Sequence, residues 1–216
     1  MNKKLLIVGF LVVLLTASLL LLANPSPKEE EEITVIENAP YWGKVEGKTI
    51  RTPIPGVTYK YIFDRCEVAG VFLPTGNYKT YYKEHRDWKE PVLALYEVKA
   101  ITIIKGEEKV KEGDLIQIAQ PGGLLHGQIV RWEGAPDLLD TEHEFILFLK
   151  ATLEDPELPG IKFINTYHNV LGDSFLKRQV GTLKFHAPHG QEQLPELRLS
   201  GEYTLEEFKS EKLGKP

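Results

Sequence analysis

The sequence predicts a mainly β domain, a small closed barrel with short helices, preceded by one N-terminal transmembrane helix. Three observations predict it. From Val92 to Ile104, ten of thirteen positions are apolar, rich in branched side chains that pack well on a pleated sheet and lose rotamer freedom in a helix. A period of two dominates residues 68 to 186, and a long strand that bends is what closing a small barrel requires. Residues 5 to 23, LLIVGFLVVLLTASLLLLA, are nineteen positions without a charge.

At a rise of 1.5 Å per residue, that first segment makes a helix of roughly 28 Å, close to the hydrocarbon thickness of a bilayer. Lys3 and Lys4 precede it and hold the N-terminus on the cytoplasmic side, which leaves the rest outside. The expected location is a cell membrane, crossed once, with the C-terminal domain extracytoplasmic. A cleaved signal peptide, giving a secreted form, is the alternative. Leu21 and Pro25 both disfavour cleavage after Ala23. Behind the anchor (1–23) comes an acidic, proline-bearing tether, NPSPKEEEE (24–32), whose adjacent glutamates repel one another. A covering segment (33–57), the barrel (58–186) and a C-terminal extension with a short helix (187–216) complete the expected order.

The chain has 216 residues and a formal net charge of −5, with no dense basic run. Nucleic-acid backbones are neutralised by lysine and arginine, so no nucleic-acid partner is expected. Cys66 is the single cysteine. It forms no intramolecular disulfide and cannot build a thiolate zinc cluster, so it is read as a buried thiol acting as a small hydrophobe.

In chain order, VTYKYIFDRC (57–66) spaces Tyr59, Ile62 and Phe63 on one helical face. EVAGVFLP is apolar on both faces and reads as a covered strand ended by Pro74. Leu115–Ala119, the stretch 126–134 and FILFLKA (145–151) supply further strands, separated by Gly106, Gly113 and the Pro121-Gly122-Gly123 turn. IKFINTYHNV, from Ile161, alternates weakly and is expected to pair at a sheet edge. GTLKFH (181–186) and LRLSGEY (197–203) follow. Thr204-Leu205-Glu206-Glu207 matches a capping box, in which Thr204 and Glu207 satisfy reciprocal amides.

EVAGVFLP, the strand ending Ile-Ile-Lys-Gly, GDLIQIAQPGG and FILFLK occur in the same order in little-characterised secreted or membrane-anchored bacterial proteins, which the chain resembles over residues 58 to 186. The order also resembles the OB-like barrel of netrin-module and metalloproteinase-inhibitor domains. That resemblance implies an OB-like fold and carries over no catalytic residue. The cysteines that place inhibitory residues in those inhibitors are absent.

No catalytic motif is present: there is no Gly-x-Ser-x-Gly elbow, no cysteine-histidine pattern and no His-Glu-x-x-His helix. His186 and His189 are the only metal candidates, and Pro188 between them keeps them off a common helical face. No cofactor is expected. The stretch from Tyr78 to Trp88 mixes large aromatics with charge, and Tyr81, Tyr82, Arg86 and Trp88 are the candidate binding residues, because interface hot spots favour those types. The competing reading makes those rings part of the core. The expected function is therefore a membrane-tethered extracytoplasmic binding or envelope-interaction module for a protein or envelope ligand, more an interaction domain than an enzyme. The alternative is an extracytoplasmic hydrolase whose residues converge only in space, joining His126 or His143 to an acid and a nucleophile.

Overall fold

The computed structural model describes residues 33–47, 57–85, 88–132, 134–171, 174–187, 197, 199 and 201–214. The chain forms strands β1 (Ile33–Glu37) and β2 (Gly43–Gly47), helix α1 (Tyr59–Arg65), and the long strands β3 (Val68–His85) and β4 (Trp88–Lys105). Next come β5 (Leu115–Pro121), β6 (Gly123–Leu125), β7 (Gln128–Trp132), β8 (His143–Ala151), β9 (Thr166–Asn169), β10 (Leu176–Gln179), β11 (Lys184–His186) and β12 (Glu202–Thr204). Helix α2 (Leu205–Phe208) runs on into a π-helical turn, Lys209–Leu213. All these residues belong to one compact unit.

The architecture corrects the expected one. It is a mixed α/β fold with mostly antiparallel sheet, and not a closed barrel. Nine strands pair in the order β1-β3-β4-β5-β9-β8-β10-β11-β12, so the sheet ends on two edge strands, β1 and β12. The physical reason lies in β3. One side of it pairs with β4 throughout, while its other side is shared: Val68–Phe72 pairs with β8 and Lys79–Lys83 pairs with β1. That sharing folds the sheet back on itself and still leaves room for flanking strands. Register shifts at Ala69/Gly70, Val71/Phe72, Pro74/Tyr78 and Tyr81/Tyr82 let the strand bend without ending. Pro74 therefore lies within β3 and is not its terminus, because a proline without an N–H is accommodated where the ladder is already irregular. A three-stranded sheet, β2-β7-β6, is separate. Its β6–β7 hairpin turns on His126 and Gly127, both at positive φ (48° and 75°), the backbone that a two-residue turn needs to match strand twist.

The expected membrane anchor is corrected too. Among the described residues no helix is long and apolar enough to cross a membrane, and residues 5–23 lie outside the described residues. The single-pass location, the extracytoplasmic topology and the membrane as a partner all rested on that segment, so the structure supports none of them.

Alternation distributes the strands between three apolar clusters. On β8, Phe145, Leu147 and Leu149 join Phe72, Tyr96, Val98 and Ile118 in the main core, while Ile146 and Phe148 face the helices. Thr58 caps α1 by accepting from the Tyr61 amide, and Tyr59, Ile62 and Phe63 are its buried face. Lys105 Nζ donates to the Phe63 carbonyl at 2.7 Å, placing a cation where the helix leaves carbonyls unpaired. The Thr204 and Glu207 capping box is formed. Beyond it Phe208 is buried edge-on against Tyr59, with ring centroids 5.2 Å apart. The Cys66 thiol is buried, donates to the Phe63 carbonyl, and is pushed up to about 11 by burial, so it is an inert packing residue.

Candidate functional site

The functional geometry follows from the outer face of β3-β4-β5. Register sets its rows: Tyr81, Leu93 and Pro121; Lys79, Leu95 and Ala119; then Glu97 with Gln117, and Lys99 with Leu115. The Tyr81 row is apolar, the next sets Lys79 beside Leu95 and Ala119, and the later ones carry Glu97, Gln117 and Lys99. The connection from β8 to β9, residues 152–165, crosses the first two rows and covers their apolar side chains with Leu158 and Phe163. Phe163 meets Tyr81 edge-on, centroids 5.6 Å apart. Connections of this length are usually functional in compact domains, and this one leaves a cleft on each side.

The first cleft, about 470 Å³, is lined by Leu93, Ala119, Gln120 and Pro121 of the sheet, by Ala135 and Pro136, and by Thr152, Leu153 and His168. Its size and apolar walls fall within the range of small-molecule sites. Its polar groups are few and fixed. Gln120 is buried, and its Nε2 donates to the Pro136 carbonyl at 3.1 Å. His168 stands on β9 opposite Lys150 of β8, and its Nδ1 lies 2.7 Å from the Thr152 hydroxyl. Burial, then the charge of Lys150, pushes His168 below the usual histidine range, so the ring is neutral near pH 7. If Thr152 donates to Nδ1, Nε2 carries the proton and is a donor; in the other tautomer it accepts. In both cases Nε2 has no hydrogen-bond partner among the described residues. Glu154 and Asp155 stand at the same cleft.

The second cleft, about 380 Å³, lies toward the later rows and is lined by Lys79, Glu97, Leu115, Gln117, Lys162 and Ile164, among others.

Of the four sequence-expected binding residues, the two whose side chains are described do not share a surface. Tyr81 (8% exposed) and Tyr82 (5%) are buried in different clusters, Tyr81 under the 152–165 connection and Tyr82 in the main core. The Tyr82 hydroxyl donates to the Leu124 carbonyl. Arg86 and the side chain of Trp88 lie outside the described residues. His186 pairs on β11 with Lys177 of β10, and His189 is outside the described residues. Among the described residues no group of three or more histidine, cysteine, aspartate or glutamate side chains is placed to hold a metal.

The extracytoplasmic hydrolase expectation is corrected by the same geometry. His126 occupies the β6–β7 turn, and His143 opens β8 with Nδ1 2.8 Å from Asp140 Oδ2. Among the described residues neither is hydrogen-bonded to a serine, threonine or cysteine, so the structure shows no convergence of either histidine with a nucleophile there. The envelope-interaction reading rested on the membrane tether, which lies outside the described residues, on the absence of a catalytic motif, and on the aromatic strip, whose Tyr81 and Tyr82 are buried; the structure does not support it. Sequence reasoning missed His168, Thr152 and Gln120. The one available signal was the acidic, turn-rich stretch after Ala151 leading into a histidine-bearing strand.

No protein-family model, curated protein or solved structure matches the chain. These comparisons neither support nor refute the resemblance drawn from the strand-and-turn markers.

Proposed function

We propose that this domain binds a small, largely apolar, uncharged molecule in the cleft beside His168. One observation carries the reading: a neutral histidine, oriented by Thr152 and with one ring nitrogen that has no partner among the described residues, lines a cleft of about 470 Å³ whose remaining walls are mostly apolar. Such a site offers apolar area for affinity and one hydrogen bond for orientation. The carboxylates of Glu154 and Asp155 disfavour an anionic ligand by like-charge repulsion.

The test is an NMR screen of neutral aromatic and alicyclic fragments against the full chain. Binders are expected to shift the Thr152, Leu153 and His168 resonances together. Ala135→Trp places an indole in the cleft from a partly exposed loop position, and is expected to weaken the same fragments at least tenfold while melting like the native chain. A library that yields no binder at these resonances overturns the proposal. So does a folded Ala135→Trp variant that binds as well as the native protein.

A further inference from the structure

We infer that the second cleft is a separate docking site for an acidic peptide with apolar side chains interspersed among its carboxylates. Charge complementarity carries this. Lys79 and Lys162 line the cleft, and exposed Lys99 stands opposite Leu115 in the register. Among the described residues none of these three lysines makes an ion pair, in a chain whose net charge is −5. Among the described lining residues Glu97 is the one carboxylate, and its Oε1 accepts from neutral donors, the Thr75 hydroxyl at 2.8 Å and Asn77 Nδ2 at 3.0 Å, so it keeps its charge. Lys79 and Lys162 outnumber it, and the lining stays net positive toward an anionic ligand.

Charge alone does not describe the cleft. Ile164 is 80% exposed and Leu115 54% exposed at its lip, and large apolar side chains left that open beside a concave surface mark interaction sites. Gln117 and Asn165 supply neutral amides on the same walls. A small inorganic anion uses the lysines and leaves Ile164 and Leu115 in water; an apolar molecule does the reverse. An extended segment places alternate side chains on one face, so acidic and apolar residues in turn match lysines and aliphatic groups that also sit in neighbouring rows. The site is distinct from the His168 cleft: the two share no lining residue.

The probe is the peptide Ac-Leu-Glu-Leu-Glu-Leu-Glu-NH2, titrated into the full chain and followed by backbone amide shifts, with the Gln-for-Glu peptide as control. The acidic peptide is expected to give saturable shifts at Gln117, Ile164 and Asn165 and none at His168. The glutamine peptide is expected to bind at least tenfold more weakly. Lys79→Glu with Lys162→Glu is expected to weaken the acidic peptide at least tenfold, and Ile164→Asp, at an exposed position that the fold does not use, to weaken it several-fold. Equal binding of the two peptides overturns the inference, as do unchanged affinities in the variants or shifts confined to the His168 cleft. Since the two clefts report through different resonances, either can fail without the other.

Discussion

Replacing Phe148 with alanine is expected to destabilise the fold by about 3–5 kcal/mol, the range for deleting a buried aromatic ring from a core that cannot collapse around the space. Phe148 is fully buried at the centre of β8. It is the point where sheet and helices meet, with ring centroids 5.9 Å from Tyr59 of α1 and 6.4 Å from Phe208 of α2. Its backbone is fixed as well: the Phe148 amide donates to Asn169 Oδ1 at 3.1 Å and its carbonyl accepts from Val170. Neither helix closes the gap without leaving its own contacts. Denaturant unfolding measures the loss directly. Phe208→Ala is expected to lie in the same range, and the double variant to lose less than the sum, because the two rings share neighbours. A loss below about 1 kcal/mol for Phe148→Ala contradicts the packing described.

Arg178→Ala is the second large effect, about 3 kcal/mol, and its cause is electrostatic. Arg178 on β10 stands opposite Glu144 on β8. Its Nε and Nη2 both lie 2.6 Å from Glu144 Oε2, and its guanidinium stacks 4.3 Å over the Phe185 ring. Glu144 is only 8% exposed. Truncating the arginine strands a carboxylate that water barely reaches, and the cost of that isolated charge exceeds the worth of the pair itself. The account therefore expects Arg178→Met combined with Glu144→Leu to recover most of the loss in the same unfolding measurement. A double variant as unstable as Arg178→Ala would show that shape, not charge, governs this part of the sheet.

The sequence made the local elements legible and the assembly illegible. FILFLKA reads as a strand because every residue from Phe145 to Leu149 is apolar, a run that is apolar on both faces, and β8 is indeed buried on both. Thr204 to Glu207 reads as a helix start because the capping box is a local hydrogen-bond pattern. The stretch Val68 to His85 misleads, since Pro74 and Gly76 look like a terminus and a turn. Whether such residues stop a strand or only bulge it is decided by the partner, and β4 supplies pairing on both sides of the irregularity. The aromatic strip misleads similarly. Tyr81 and Tyr82 look like a binding surface until the 152–165 connection and the β6 backbone are placed over them. The site itself was hidden because its strand alternates weakly. Thr166–Asn169 looks like an edge and lies between β5 and β8, and only that placement brings His168 to Thr152.

The central claim is that His168 is a neutral, partly buried ring held by Thr152 in a ligand cleft. Its most direct test is an NMR pH titration of the His168 ring nitrogens, without and with a saturating fragment binder. The account predicts that His168 titrates below the ordinary histidine value of about 6.5, because burial disfavours the charged ring. Protonation then favours the unfolded state, so this contribution to stability is complete above the unfolded-state value and is lost as the pH falls from there through the lower folded-state value. Adding the fragment is predicted to shift the His168 Nε2 resonance, while those of His126 and His143 stay where they were. A His168 that titrates like a solvent-exposed histidine and ignores the fragment contradicts the account.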